Sequence, residues 1–363
     1  MIFNNWQKWF GVMILLTAAM PLSVQACTTF LLGQDGKQVF GKNYDWHLGA
    51  GMVIINQRGV SKTAMQGIGS DPVEYASWIS KYGSLTFNQY GREMPTGGMN
   101  EAGLVVHLMM LHETQYSKPD SRNPIKDLQW IQYQLDNFNS VEQVIQSNSN
   151  IRILYNEVPG LHYLVADKKG NCATFEWIKG RFVCHTEKRL PVKALTNNTY
   201  EDSLRYLRRH KGFGGKMPID NTEFSLDRFV RAAHMLKNYQ SRSGKTMVDY
   251  AFDILKNVLQ GSTKWSIVYD LQELRVYFKT VSDQYVKIVD LMAFDLSCKG
   301  PVKVMNINSG LSGDVTGKFS NYTRKMNRKL IFLAMKGTSF VSDVPDDMLN
   351  YRVVYPETTT CDN

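Results

Sequence analysis

Cysteine is scarce in this chain. Five residues in 363 are too few for a protein held together by a disulfide scaffold. After residue 26 no apolar run is long enough to cross a bilayer, so an integral membrane span is excluded there. Proline (11) and glycine (27) stand near average usage, which excludes a collagen-like fibre and argues against a long linker. Charge of one sign is not concentrated either. Lys and Arg outnumber Asp and Glu by 42 to 33, and the densest basic groups, Arg205-Tyr206-Leu207-Arg208-Arg209 and Arg324-Lys325 to Arg328-Lys329, read as solvated helix faces. With no basic stripe of interleaved aromatics, nucleic acid is not an expected partner. Nor is there a His-Glu-x-x-His or a Gly-x-Ser-x-Gly. Gly313 to Lys318 mimics a phosphate loop but is one residue short, with Phe319 where a hydroxyl must hold magnesium. His107 and His112 fall on opposite faces of a strand end, so no metal site is expected. What remains is ordinary globular composition, 43% apolar and 21% charged, with length enough for a large core.

Residues 1–26 read as an export signal. Lys8 precedes an uncharged apolar run from Trp9 to Met20, Pro21 breaks it, and Val24-Gln25-Ala26 supplies a cleavage site. The protein is therefore expected to be exported, to periplasm or exterior, as one domain over 27–363. Cleavage after Ala26 places Cys27 first. An amino-terminal cysteine carries a thiol and a free α-amine, groups that in model peptides titrate near about 8.5 and about 7.7–8.0. So closely matched a pair passes a proton from sulfur to nitrogen at little cost, and one residue serves as nucleophile and general base. Two other readings stand beside it: a lipid anchor on Cys27, for which Val24 and Gln25 make a poor signal, and a plain structural cysteine.

Periodicity predicts a mixed α+β chain. A strand and hairpin open it at Cys27–Leu32, with a turn at Gly33–Gly36 and a return at Gln38–Gly41. Further strands are expected at Met52–Asn56, Leu104–Leu111 (after a turn at Gly97-Gly98-Met99-Asn100), Leu161–Ala166, Ala173–Ile178, Phe182–His185, Trp265–Leu271 and Leu274–Thr280. Helices are expected around Ile125–Leu135, from Ser140, over Glu201–His210, from Ser225, from Thr246, and a last one from Asn321. Strands in antiparallel groups with helices between them argue against a doubly wound parallel sheet. Cys172, Cys184, Cys298 and Cys361 are even in number, and spacing alone does not pair them.

Six blocks make the sequence recognisable: Cys27-Thr28-Thr29-Phe30, Gly41-Lys42-Asn43-Tyr44-Asp45-Trp46, Gly98-Met99-Asn100-Glu101-Ala102-Gly103-Leu104, Leu195-Thr196-Asn197-Asn198, Ser225 to Arg231, and Trp265 to Leu271. In this order they resemble the choloylglycine hydrolase and penicillin V acylase family of N-terminal-nucleophile amidohydrolases. The resemblance covers roughly residues 27 to 280 and thins beyond Phe294. It implies a four-layer αββα fold, two antiparallel sheets face to face with helices outside, and it raises the nucleophile reading of Cys27 above the lipid anchor. It also implies roles. Cys27 attacks an amide carbonyl, and Asp45 holds its amine and thiol. The Asn197 side-chain amide and the Met110 main-chain N–H receive the oxyanion. Arg228 supports the network.

Two residues depart from the family pattern. Lys42 stands where the family usually has Arg, and an ammonium is a point charge that cannot fork across two acceptors. Met110 stands where Asn is common. The expectation is an exported amidohydrolase that cuts a linear, non-peptide C–N bond of a small-molecule N-acyl amide: a conjugated bile acid, a phenoxyacetyl β-lactam or an N-acyl homoserine lactone. Trp46, Met109, Met110 and Leu111 are expected to wall its pocket. No cofactor is implied, and a homo-oligomer is left open. The rival is a non-enzymatic surface lipoprotein or binding module.

Overall fold

The computed structural model describes residues 27–66, 73–155, 159–240 and 244–362. The expected export signal, 1–26, lies outside the described residues.

The opening hairpin forms as expected. Thr28–Gln34 and Lys37–Asp45 pair antiparallel from Thr28↔Asn43 to Gln34↔Lys37, around a turn in which Asp35 and Gly36 take left-handed backbone (φ 52° and 77°). This hairpin lies inside a seven-stranded sheet. Ala194–Leu195 flanks its first strand, and Thr263–Asp270 flanks its second. Arg275–Thr280, Asp283–Asp290 and the two-residue Gly313–Asp314 extend the sheet outward. Only the last of these pairings is parallel.

A nine-stranded antiparallel sheet faces it, with Met52–Asn56, Ser84–Asn88, Pro95–Asn100, Val105–Met110 and Leu161–Ala166 near its centre. Between the sheets Phe40, Phe87, Met109, Trp265 and Tyr269 share one buried core, and Phe40 stacks on His107 across the gap at 5.7 Å between ring centroids. Strands whose two faces are both covered are buried end to end, as Met52–Asn56 and Ser84–Asn88 are.

Seven helices are described: α1 (Asp127–Asn137), α2 (Val141–Ser147), α3 (Tyr200–Leu207), α4 (Ser225–Lys237), α5 (Met247–Asn257), α6 (Arg324–Lys336) and α7 (Asp346–Val354). α4 and α5 pack on the seven-stranded sheet and α1 on the nine-stranded one, completing the αββα layering. Caps set the starts. Thr199 accepts from Asp202 N ahead of α3, and Thr246 with Asp249 makes a reciprocal capping box ahead of α5.

The structure corrects several expectations. Gly97 to Asn100 is strand, not turn. A Cβ on Gly97 would stand 2.0 Å from His107 Nδ1, and one on Gly98 2.4 Å from the Leu85 carbonyl oxygen. These glycines are there for close packing, and the actual turn is at Glu101 to Gly103, where Gly103 takes φ 79°. The helix expected to run to His210 stops at Leu207. The helix expected from Asn321 starts at Arg324 behind the Thr323 cap, and it is not the last, since α7 follows. Cys298 and Cys361 form a disulfide, while Cys172 and Cys184 remain thiols. Among the described residues no helix is long and apolar enough to cross a membrane.

Candidate active site

The site residues converge because the hairpin, the Ala194–Leu195 strand and the start of α4 meet at one edge of the sheets. Cys27 precedes the first strand and is 4% exposed. Lys42 and Asp45 lie on the second strand of the hairpin and are fully buried. Asn197 follows Leu195, which carries it past the sheet edge beside Thr29.

Arg228 ties these parts together. It is fully buried on the first turns of α4. Its Nη1 donates to the Cys27 carbonyl oxygen (2.8 Å) and to Thr28 Oγ1 (2.5 Å), its Nη2 to Asn197 Oδ1 (3.1 Å), and its Nε to the Glu223 carbonyl oxygen (3.0 Å). Burial pulls its guanidinium down to about 10, against the pull of Asp45 and Cys27. Because Arg228 occupies the amide oxygen of Asn197, the Asn197 Nδ2 is turned the other way. One of its two hydrogens goes to the Met110 carbonyl oxygen (2.8 Å), which leaves a second for a ligand. The Asn197 main chain is fixed as well, its N–H donating to Ser225 Oγ (2.8 Å).

Strand alternation explains Met110. Leu111 N donates to the Gly160 carbonyl oxygen, so the main-chain groups of Met110 turn away from the neighbouring Leu161–Ala166 strand and toward Asn197. The same edge presents the Leu108 carbonyl oxygen, which accepts from Lys42 Nζ at 2.6 Å. Lys42 also hydrogen-bonds the Cys27 side chain. Its ammonium is held below the usual lysine range, chiefly by burial, with Cys27 and Asp45 opposing the shift.

Asp45 accepts from Gln260 Nε2 (2.6 Å) and from Thr263 Oγ1. Burial raises its carboxyl to about 6, although Arg228, Thr263 and Lys42 all favour the charged form. Beneath Asn197 lies a second buried layer. His162 Nε2 donates to the Thr196 carbonyl oxygen (2.8 Å), and its Nδ1 meets Glu176 Oε1 (3.1 Å), which also accepts from Tyr200 N (3.0 Å).

A cavity of about 490 Å³ opens over Cys27 and Asp45. Trp46, Tyr90, Leu108, Met110, Leu128 and Leu161 form its near walls. Of the expected pocket residues Trp46 and Met110 line it, whereas Met109 and Leu111 are buried away from it, the alternation that puts Met110 on one face putting its neighbours on the other. Cys172 and Cys184 take no part: burial pushes their thiols up to about 12 and about 11. His107 is paired to the Tyr269 hydroxyl (2.7 Å). His210, Asp220 and Asp227 bring ligand atoms within 4.8 Å of one another, but outside the cavity lining, and hydroxyls of Tyr206 and Thr222 already donate to Asp227.

Gln260, Ser225, His162 and Glu176 were not singled out for the site from sequence. Each acts by holding another side chain or main-chain atom, a role with no motif of its own. Ser225 and Thr263 did fall in or beside the recognisable blocks.

The linear amide C–N hydrolases of the choloylglycine hydrolase family match residues 27–304 of this chain. A penicillin V acylase of Pectobacterium atrosepticum is 28% identical over 264 residues, spanning 61% of this chain and 70% of that protein. The solved penicillin V acylase of Agrobacterium tumefaciens superposes with a TM-score of 0.70 at 26% identity, covering 82% of this chain and 98% of its own. A variant of the conjugated bile acid hydrolase of Clostridium perfringens shares the fold at a TM-score of 0.64 and 21% identity, covering 79% and 99%.

Proposed function

This chain belongs to the choloylglycine hydrolase family of linear amide C–N hydrolases, and from that premise we propose that it is an exported enzyme whose mature chain starts at Cys27 and whose Cys27 thiol cleaves an N-acyl amide. The Cys27 α-amine takes the thiol proton as sulfur attacks the carbonyl carbon. The oxygen gains the negative charge and is met by the free Asn197 amide hydrogen and the Met110 N–H, donors of a kind worth ~2.7–4 kcal/mol each. When the C–N bond breaks, the ammonium returns the proton to the leaving amine. A thioester remains, and water opened by the same amine hydrolyses it. Asp45 holds the ammonium, and Lys42, a buried cation beside the sulfur, favours thiolate by charge alone.

One observation carries the reading: a single buried guanidinium joins the Cys27 carbonyl to the Asn197 amide at the base of an apolar cavity. A lipid anchor is poorly served by this position, because a diacylglyceryl group on the Cys27 sulfur would start inside the cavity rather than at the surface. The two penicillin V acylases favour an acyl group that is apolar and bulky, and bile-salt conjugates and N-acyl homoserine lactones share that character.

The test is a panel of phenoxyacetyl, taurine-conjugated and N-acyl homoserine lactone substrates against exported protein and its Cys27→Ala form. Wild type should turn over at least one class, and Cys27→Ala none, with unchanged melting. Intact mass should place Cys27 first with its amine free. Activity surviving in Cys27→Ala, or a diacylglyceryl adduct on Cys27, would sink the mechanism.

A further inference from the structure

The match to the family ends at residue 304, but the cavity does not. Its far wall is made by the C-terminal segment: Met335 at the end of α6, Phe340, Val341 and Val344 in the connection, and Met348 and Leu349 on α7. Phe340 stands edge-on to Trp46 at 6.1 Å, so this wall meets the near side at that ring. It presents mostly apolar groups to the space between, with Asp347, Tyr351 and Arg352 of α7 also in the lining.

The segment is built in rather than draped over. The Tyr355 hydroxyl donates to the Thr63 carbonyl oxygen (2.7 Å) and accepts from Gln129 Nε2 (2.8 Å). Asn327, fully buried, accepts from Arg92 N (2.9 Å) and donates to the Val353 carbonyl oxygen (3.2 Å). His47 Nε2 donates to the Gly337 carbonyl oxygen (2.8 Å). Finally Thr360–Cys361 adds as a strand to Val60–Thr63, and Cys361 is bonded to Cys298. Anchors at both ends hold the wall in place. Within that frame Met335 and Met348 are unbranched and adapt to whatever fills the space.

We propose that the C-terminal segment selects the acyl group, with Val341, Val344 and Met348 receiving the end of a long, flexible apolar acyl chain remote from the scissile amide. This rests on the amidohydrolase reading above. A chain long enough to reach the wall gains burial there with each added methylene, whereas a short acyl group ends before it and gains nothing from it.

The experiment measures kcat/KM for one amine acylated in turn with acetyl, butanoyl, octanoyl and dodecanoyl groups. Wild type should prefer the long chains. Met348→Trp and Val341→Trp, which fill the far end from two different elements, should each lower the dodecanoyl-to-butanoyl ratio about tenfold, the scale on which apolar pockets discriminate by size. Melting curves show whether each variant is folded. A wild type that prefers the short chains overturns the proposal, as do folded variants that leave the ratio unchanged or scale every substrate by one factor. Those outcomes leave the amidohydrolase reading intact. Failure of wild type to cleave any member of this series and of the panel above overturns both.

Discussion

Asp45 pulls stability and activity in opposite directions as pH changes. Its carboxyl lies at about 6 in the fold against an ordinary aspartate value of about 3.8, because burial disfavours the charge. The fold therefore binds that proton more tightly than the unfolded chain does. The contribution is fully present below about pH 4 and is lost as pH rises through about 6, a cost on the order of 3 kcal/mol. The proposed role needs the ionised form. Hence kcat/KM should fall on acidification below about pH 6, while the Asp45 share of stability grows. Urea midpoints from about pH 4 to about pH 7, wild type against Asp45→Asn, should show the variant losing the decline that wild type shows across that window. A kcat/KM profile level down to about pH 5 would contradict the assignment. At this scale Cys27 was legible by its own chemistry, and Lys42, Asp45, Asn197 and Arg228 only through the family resemblance; the fold brings the five together. Gln260 was not legible, since its partner Asp45 lies 215 residues away, nor was Glu176, which meets His162 only once two neighbouring strands pair.

Elements were legible where a local rule decides them. The opening hairpin and the Thr246 cap both follow from turn or cap chemistry within a few residues. Gly97 and Gly98 were misread because the same residue serves two purposes. A glycine that admits a left-handed turn and a glycine that admits a neighbour's ring look identical in sequence. The distinction is testable: Gly97→Ala should push on the His107 ring, which is itself held by the Tyr269 hydroxyl, and cost about 1–3 kcal/mol by overpacking. Denaturant unfolding measures this, and a variant as stable as wild type would mean the ring has room to yield. α7 escaped notice for another reason. Its apolar residues Met348, Leu349, Tyr351, Val353 and Val354 spread around the helix rather than forming one stripe, and only Leu349 and Val353, one turn apart, are buried.

At the scale of the whole molecule, the layers follow from alternation and grouping, but the closure of the cavity does not. The first described strand begins directly after Cys27 and, some 330 residues later by the numbering, the last described strand pairs with Val60–Thr63. The disulfide spans 63 residues, a loop whose closure is worth about 4 kcal/mol in the chain-entropy account. Cys361→Ser should therefore lower stability by roughly 2–4 kcal/mol, read as a shift in denaturant midpoint and reproduced by mild reduction of the wild type. Equal midpoints for oxidised and reduced protein would contradict it. Since Thr360–Cys361 leaves the ribosome after every residue that lines the cavity, a nascent chain cut short of it carries Cys27 beneath an unfastened roof.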